Sequence, residues 1–264
     1  ATTGSAVPSA GTGSAGSGSA GSGSAALTPP RYEPYIEVAA ELKQAIAATD
    51  RAIEDRMLDA GRRPGEVLDY FGLRTGMKVG ELFAGGGYST ELVARTVGEG
   101  GKVWAQNSKD IMDRFARQPW EARAAKPVMK NVTLVEAPID APFPADVKNL
   151  DMVITILNYH DAVWQKADRA KMNKAVFAAL ASGGVYGIVD HSAAPGTGTR
   201  DVETLHRIDE EVVKQEVEAA GFKLVGSSDL LRNPSDARDW STSPKNAGER
   251  RGTSDRFVLR FVKP

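Results

Sequence analysis

The chain has 264 residues, 41% hydrophobic and 25% charged, with 33 basic against 34 acidic side chains and a formal net charge of -1. That length allows one large domain with appendages, and the even charge balance argues against a nucleic-acid binder, which concentrates basic residues to track phosphates. Zero cysteines exclude disulfides, thiolate metal ligands and cysteine nucleophiles, and no apolar run approaches the roughly 20 residues that span a bilayer.

The first 26 residues are nearly all Gly, Ser, Ala and Thr, with a repeating Gly-Ser-Ala-Gly-Ser unit. Such a composition cannot bury enough apolar surface to offset its chain entropy, so residues 1–28 read as a flexible tether, either a natural spacer or an engineered linker. Residues 29–72 read as a helical cap. Ile36, Ala39, Leu42 and Ile46 recur at helical spacing and predict a helix over 35–48; Asp50 is placed to cap a second over 51–58. Arg62-Arg63-Pro64-Gly65 breaks that helix, and 66–71 forms a short helical turn before Gly72.

From residue 73 the rhythm changes. Short apolar runs at 78–83, 102–106, 132–136, 152–157 and 185–190 read as strands, with amphipathic helices at 88–97, 111–125 and 165–180 between them. Repeated strand–helix alternation implies right-handed crossovers and a mostly parallel sheet. A helix near 209–220 and strands at 223–227 and 257–262 complete the pattern. Residues 73–264 therefore predict an α/β domain with a doubly wound, mostly parallel seven-stranded sheet, carrying the N-terminal helices as a cap. The polar segment 233–255 reads as a lid over a binding site, with Trp240 as its candidate cover.

The best motif is Val79-Gly80-Glu81-Leu82-Phe83-Ala84-Gly85-Gly86-Gly87-Tyr88-Ser89-Thr90. A strand ends, three glycines follow, and a helix opens. Glycines there let the backbone turn tightly and let a ligand lie where any Cβ would collide. The helix N-terminus adds donors and a partial positive charge. A dinucleotide fingerprint requires a third glycine where Thr90 stands, and no phosphate-binding Lys-Ser/Thr pair follows the glycines.

This stretch resembles motif I of the class I S-adenosylmethionine-dependent methyltransferases, and the likeness extends over residues 66–264. Leu180-Ala181-Ser182-Gly183-Gly184-Val185 is similar to that superfamily's turn into the fifth strand, Val217-Glu218-Ala219-Ala220-Gly221-Phe222 to the approach to the sixth, and the stretch from Arg256 to Pro264 to its closing antiparallel strand. Asn158-Tyr159-His160-Asp161, Val189-Asp190-His191, Leu205-His206-Arg207-Ile208-Asp209 and Ser254-Asp255-Arg256-Phe257 resemble a group of bacterial predicted methyltransferases. The resemblance implies a Rossmann-like methyltransferase fold and S-adenosyl-L-methionine as cofactor. It implies cofactor contacts from Glu81, Phe83, Ala84, Gly85, Gly87, Asn107, Glu136 and Asn158. Three positions depart from the superfamily. Phe83 replaces its first glycine, Asn107 replaces the acidic residue that grips the ribose, and Glu136 falls one position early, with Asp140 nearby.

The three histidines, His160, His191 and His206, all fall near the carboxyl edge of the predicted sheet, where open α/β sheets bind ligands. Three readings stand: hydrogen-bonded loop histidines; acid–base catalysis, with His160 taking a proton from the acceptor beside Tyr159 and His191; and a metal site using His160, Asp190, His191 and His206. No short-range ligand spacing supports a metal, so none is assigned.

The expected function is methyl transfer to a small-molecule acceptor, with no nucleic acid as partner. A noncatalytic methyltransferase-like binding or scaffold protein is the alternative, motivated by the three departures. A nucleotide-dependent oxidoreductase ranks third, against Thr90 and Asn107. The cofactor argument places the chain in the cytoplasm, where S-adenosylmethionine is made, whereas the tether points to an exported or envelope-tethered protein.

Overall fold

The computed structural model describes residues 36–264; the tether and the first residues of the cap lie outside the described residues. The cap is three helices, α1 (Ala40–Ala47), α2 (Ile53–Arg62) and α3 (Pro64–Phe71). Asp50 does not cap α2. The N-cap is Ala52, and the Asp50 carboxylate pairs with Arg95 at 2.7 Å instead. The break after Arg62 falls as expected. Pro64 has no N–H to continue α2, and Arg63 turns left-handed, φ 46°, to close α2 and open α3 one residue later.

The domain that follows is built on seven strands: β1 (Lys78–Leu82), β2 (Lys102–Asn107), β3 (Val132–Glu136), β4 (Leu150–Ile156), β5 (Leu180–His191), β6 (Lys223–Ser228) and β7 (Arg256–Val262). Their spatial order is β3-β2-β1-β4-β5-β7-β6. β1 to β5 are parallel, and β7 runs antiparallel between β5 and β6. Helix α4 (Tyr88–Val97) follows β1, and α5 (Lys109–Ile111) with α6 (Arg117–Ala124) follows β2, joined by a π-helical stretch at Met112–Ala116. The helix expected over 165–180 is α8 (Arg169–Ala179), and a separate helix, α7 (Tyr159–Trp164), precedes it. They part at Lys166, which is left-handed at φ 55°, and α8 gains its own N-cap from Asp168. After β5 come α9 (Val202–Leu205) and α10 (Glu210–Ala219).

Both faces of the sheet are covered. Phe71, Leu73, Val79, Leu92 and Ile154 belong to the apolar layer on the cap side. Leu82, Val153, Tyr186, Val213 and Phe257 belong to the opposite layer. Burial on both faces is the condition under which parallel strands are stable. The winding reverses between β1 and β4, which pair directly. At such a reversal the loops leaving the two strands diverge to opposite faces and open a crevice at the carboxyl edge. The glycine loop after β1 and the Asn158-Tyr159-His160 turn after β4 border that crevice.

Candidate functional site

Backbone conformation marks the crevice. Phe83 after β1, Leu157 after β4 and His206 after α9 all have left-handed backbones, with φ of 54°, 62° and 51°. Each such placement costs a non-glycine residue about 1–3 kcal/mol and persists only where the surroundings enforce it. At Phe83 they do. Its N–H donates to Gln106 Oε1 at 3.1 Å, and its carbonyl accepts from Asn158 Nδ2 at 3.2 Å. One aromatic residue thus joins the ends of β1, β2 and β4.

Glu81, next to the last residue of β1, is buried. Its carboxylate accepts from Thr90 Oγ1 at 2.5 Å and from the Ser89 hydroxyl. Burial pushes its pKa up to about 7, against the pull of those two hydroxyls and of the Arg123 charge. The loop it underlies has two different surfaces. A Cβ on Gly87 would lie 2.9 Å from Arg123 Cδ and 3.2 Å from the Trp120 ring. A Cβ on Gly85 would meet nothing within 4 Å. Gly87 is therefore glycine for packing, whereas Gly85 leaves bare backbone facing open space. Arg123 fixes the packed side: its Nε donates to Gly86 O at 2.7 Å, and its Nη1 reaches Asp55 at 2.6 Å and the buried Glu91.

Asn107 is buried with its amide turned inward. Its Oδ1 accepts from Gly85 N at 2.8 Å, and its Nδ2 donates to Gly85 O at 3.0 Å. The expected ribose-gripping amide is thus committed to holding the loop. Glu136 stands at the end of β3, where its carboxylate binds Arg117 at 2.7 and 2.9 Å. Asp140 pairs with Lys171 at 3.0 Å. Ala84 is buried, and its N–H donates to Gln106 O at 2.9 Å.

The histidines gather as their position at the sheet edge implied. Asp190, at the end of β5, accepts from His160 N at 2.7 Å through one oxygen and meets His160 Nδ1 at 2.8 Å through the other. The His160 and His206 rings stand edge to face, 5.4 Å apart, and the His191 ring lies 6.0 Å from His160. His160 Nε2 points toward Asp161, 3.5 Å away. Burial would lower the His160 pKa, but the Asp190 charge and hydrogen bond, with help from Asp161, lift it to about 9. His191 is held far below the usual range by burial and by the positive charges of His160, Arg256 and Arg207. Its Nδ1 lies 2.7 Å from Ser254 Oγ. One ligand atom each from His160, Asp161 and His206 lies within 4.8 Å of the others, a spacing that admits a metal ion.

Tyr159 does not share this face. It opens α7, and its buried ring points away: the hydroxyl donates to Glu216 Oε2 at 2.9 Å and accepts from Asn173 Nδ2 at 2.8 Å. The expected lid is pinned rather than free. Asp236 accepts from Arg207 and from Trp240 Nε1, both at 2.8 Å, and Asp255 binds Arg238 at 2.8 Å. The Trp240 ring lies against the Arg207 guanidinium, 4.9 Å from centroid to carbon, so its cover is an internal cation and not the crevice.

Sequence reasoning passed over Gln106, Arg62 and Arg256. Gln106 carried a signal, an uncharged polar residue inside an apolar strand. A mainly apolar cavity between the cap and the sheet is lined by Leu68, Tyr88, Leu157 and Leu231, with Arg62 and Arg256 in its wall. No carboxylate pairs with either guanidinium among the described residues: Arg62 stacks over Tyr88 at 4.4 Å, and Arg256 donates to the carbonyls of Ser254 and Gly252.

No protein-family model and no curated protein matches the sequence. Solved structures do match the fold. An S-adenosylmethionine-dependent methyltransferase from Aquifex aeolicus aligns over 89% of this chain and 100% of its own, at 16% identity and a TM-score of 0.57. A Galdieria sulphuraria protein, provisionally assigned as a sarcosine dimethylglycine methyltransferase, aligns over 86% and 91%, at 14% identity and 0.57. The [4+2]-cyclase SpnF aligns over 83% and 85%, also at 14% and 0.57. The chain thus shares the seven-stranded, mostly parallel α/β fold of these solved methyltransferases and of the cyclase.

Proposed function

We propose that the chain binds S-adenosyl-L-methionine and transfers its methyl group to a small-molecule acceptor. The observation that carries this reading is the bare backbone of Gly85, open to space at the carboxyl edge where the sheet winding reverses. Glu81 would steady the loop from below through Ser89 and Thr90 at the start of α4. Phe83, Ala84 and Gly85 would form the floor for the cofactor, with Gly87 packing the loop against Arg123 and Asn158 tying that floor to β4. Asn107 and Glu136 would act through the groups they hold, Gly85 and Arg117.

When bound, S-adenosyl-L-methionine would supply a methyl group to which the acceptor's lone pair would bond while the sulfur–carbon pair returns to sulfur. The acceptor's proton then leaves to the surroundings. The substrate is already activated as a sulfonium, so positioning is the main demand, and positioning can supply about 7–11 kcal/mol. His160, oriented by Asp190, is the group that meets the acceptor, with His191 beside it. A small acceptor is supported by the even net charge of the chain.

A second reading, binding without catalysis, is favoured by the commitment of the Asn107 amide to Gly85 and of the Glu136 carboxylate to Arg117. Calorimetric titration of the full chain with S-adenosylhomocysteine tests the shared premise, and no heat at saturating ligand removes both readings. Binding followed by labelled product from a pool of small acceptors supports catalysis. Binding with no product from any pool supports the second reading.

A further inference from the structure

We propose that His160, Asp161 and His206 form a site for a divalent transition-metal ion beside the glycine loop. Two imidazoles and one carboxylate are the donor set of three-ligand metal sites that keep positions open for water or substrate. Their ligand atoms already lie within 4.8 Å of one another. Around a metal with bonds of about 2.0–2.2 Å, such atoms stand roughly 3–3.5 Å apart.

Three further observations point to the same centre. His160 Nδ1 is already engaged by Asp190 at 2.8 Å, which aims Nε2 outward as the ligating atom. A carboxylate behind the imidazole is the usual support of a metal-bound histidine. His206 occupies a strained left-handed backbone position, φ 51°, yet no hydrogen bond holds its ring among the described residues. The backbone turn closes α9, and the ring, edge to face with His160, keeps both its nitrogens for a ligand. Finally, the Asp161 carboxylate already lies 3.5 Å from His160 Nε2, close to the position a shared ion would take.

Ion binding does not depend on the methyl-transfer reading. If both hold, the open metal positions face the acceptor, and the acceptor class narrows to molecules with an oxygen or nitrogen donor. The test titrates the chelator-treated full chain with Co2+, followed by visible absorption, and then displaces it with Zn2+. The expected result is one ion per chain. His206→Gly suits its left-handed backbone and removes the ring, so it keeps the fold while weakening the ion on the order of tenfold or more. Asp190→Asn weakens it by about 10–100-fold. No cobalt band with the unsubstituted chain, or equal affinity in His206→Gly, overturns the proposal. Binding of S-adenosylhomocysteine, measured in His206→Gly without metal, stays unchanged and reports separately on the glycine loop.

Discussion

Asp190 holds His160 at both ends, accepting from its backbone N–H at 2.7 Å with one carboxylate oxygen and meeting its ring Nδ1 at 2.8 Å with the other. The same carboxylate also accepts from His191 N at 2.7 Å. One buried side chain on β5 thereby fixes the start of α7 and the orientation of the imidazole.

Removing that carboxylate leaves two backbone donors and an imidazolium without their buried acceptor. Asp190→Ala is expected to lower stability by about 3–5 kcal/mol, the range for breaking a buried ionic pair on one side. Asp190→Asn keeps an acceptor oxygen and costs less. Urea denaturation measures both, and a loss under about 1 kcal/mol for the alanine variant would contradict the assignment.

Glu81 makes the fold sensitive to pH. Its pKa is raised from the ordinary 4.5 to about 7, so between those values the folded chain binds more protons than the unfolded one. Stability therefore falls as pH rises from about 4.5 through 7, by about 3 kcal/mol in total. Glu81→Gln keeps the shape and cannot ionise, so its urea midpoint should vary less across that window. Parallel pH profiles for the two proteins would rule out Glu81 as the source.

The two faces of the glycine loop predict opposite outcomes for the same substitution. Gly87→Ala drives a methyl into Arg123 and Trp120 from a backbone at φ 85°, and should destabilise the chain markedly. Gly85→Ala meets open space and carries only the left-handed backbone cost, roughly 1–2 kcal/mol. It should nevertheless lose S-adenosylhomocysteine binding, read by calorimetry, because the methyl occupies the cofactor's floor. A Gly85→Ala chain that binds normally would move the cofactor elsewhere.

The cap is locked to the loop helix by a buried network. Arg51 binds Asp59 at 2.6 and 2.8 Å, and Asp59 also accepts from the Tyr88 hydroxyl at 2.7 Å. The Arg51 side chain is 1% exposed, so Asp59→Ala strands a buried guanidinium and should cost about 3–5 kcal/mol. The double replacement Arg51→Met with Asp59→Leu should recover part of that loss in thermal or urea unfolding. Equal costs for the single and double variants would show that the charge itself is not the burden.

Much of this could be read from the residues alone. The alternation of apolar runs and amphipathic stretches placed all seven strands and the doubly wound sheet, because strand and helix periodicities are local properties of the backbone. Three glycines after β1 marked the turn, and the three histidines fell at the carboxyl edge because the strands before them could be located. Where local signals were weak, the reading slipped. Asp50 looked like a cap yet found Arg95, and the helix over 165–180 begins only at Arg169, after a left-handed Lys166.

What only the tertiary structure decided is which way each polar side chain turns. Asn107 stood where a ribose contact was expected, but Gly85, 22 residues earlier, offers both its N–H and its carbonyl inside the fold. Tyr159 sits next to His160 in sequence, yet consecutive helical positions point about 100° apart, so one faces Glu216 and the other Asp190. Periodicity follows from neighbours along the chain, whereas a buried polar group takes whichever partner the packing brings within reach. That partner is usually far away in sequence.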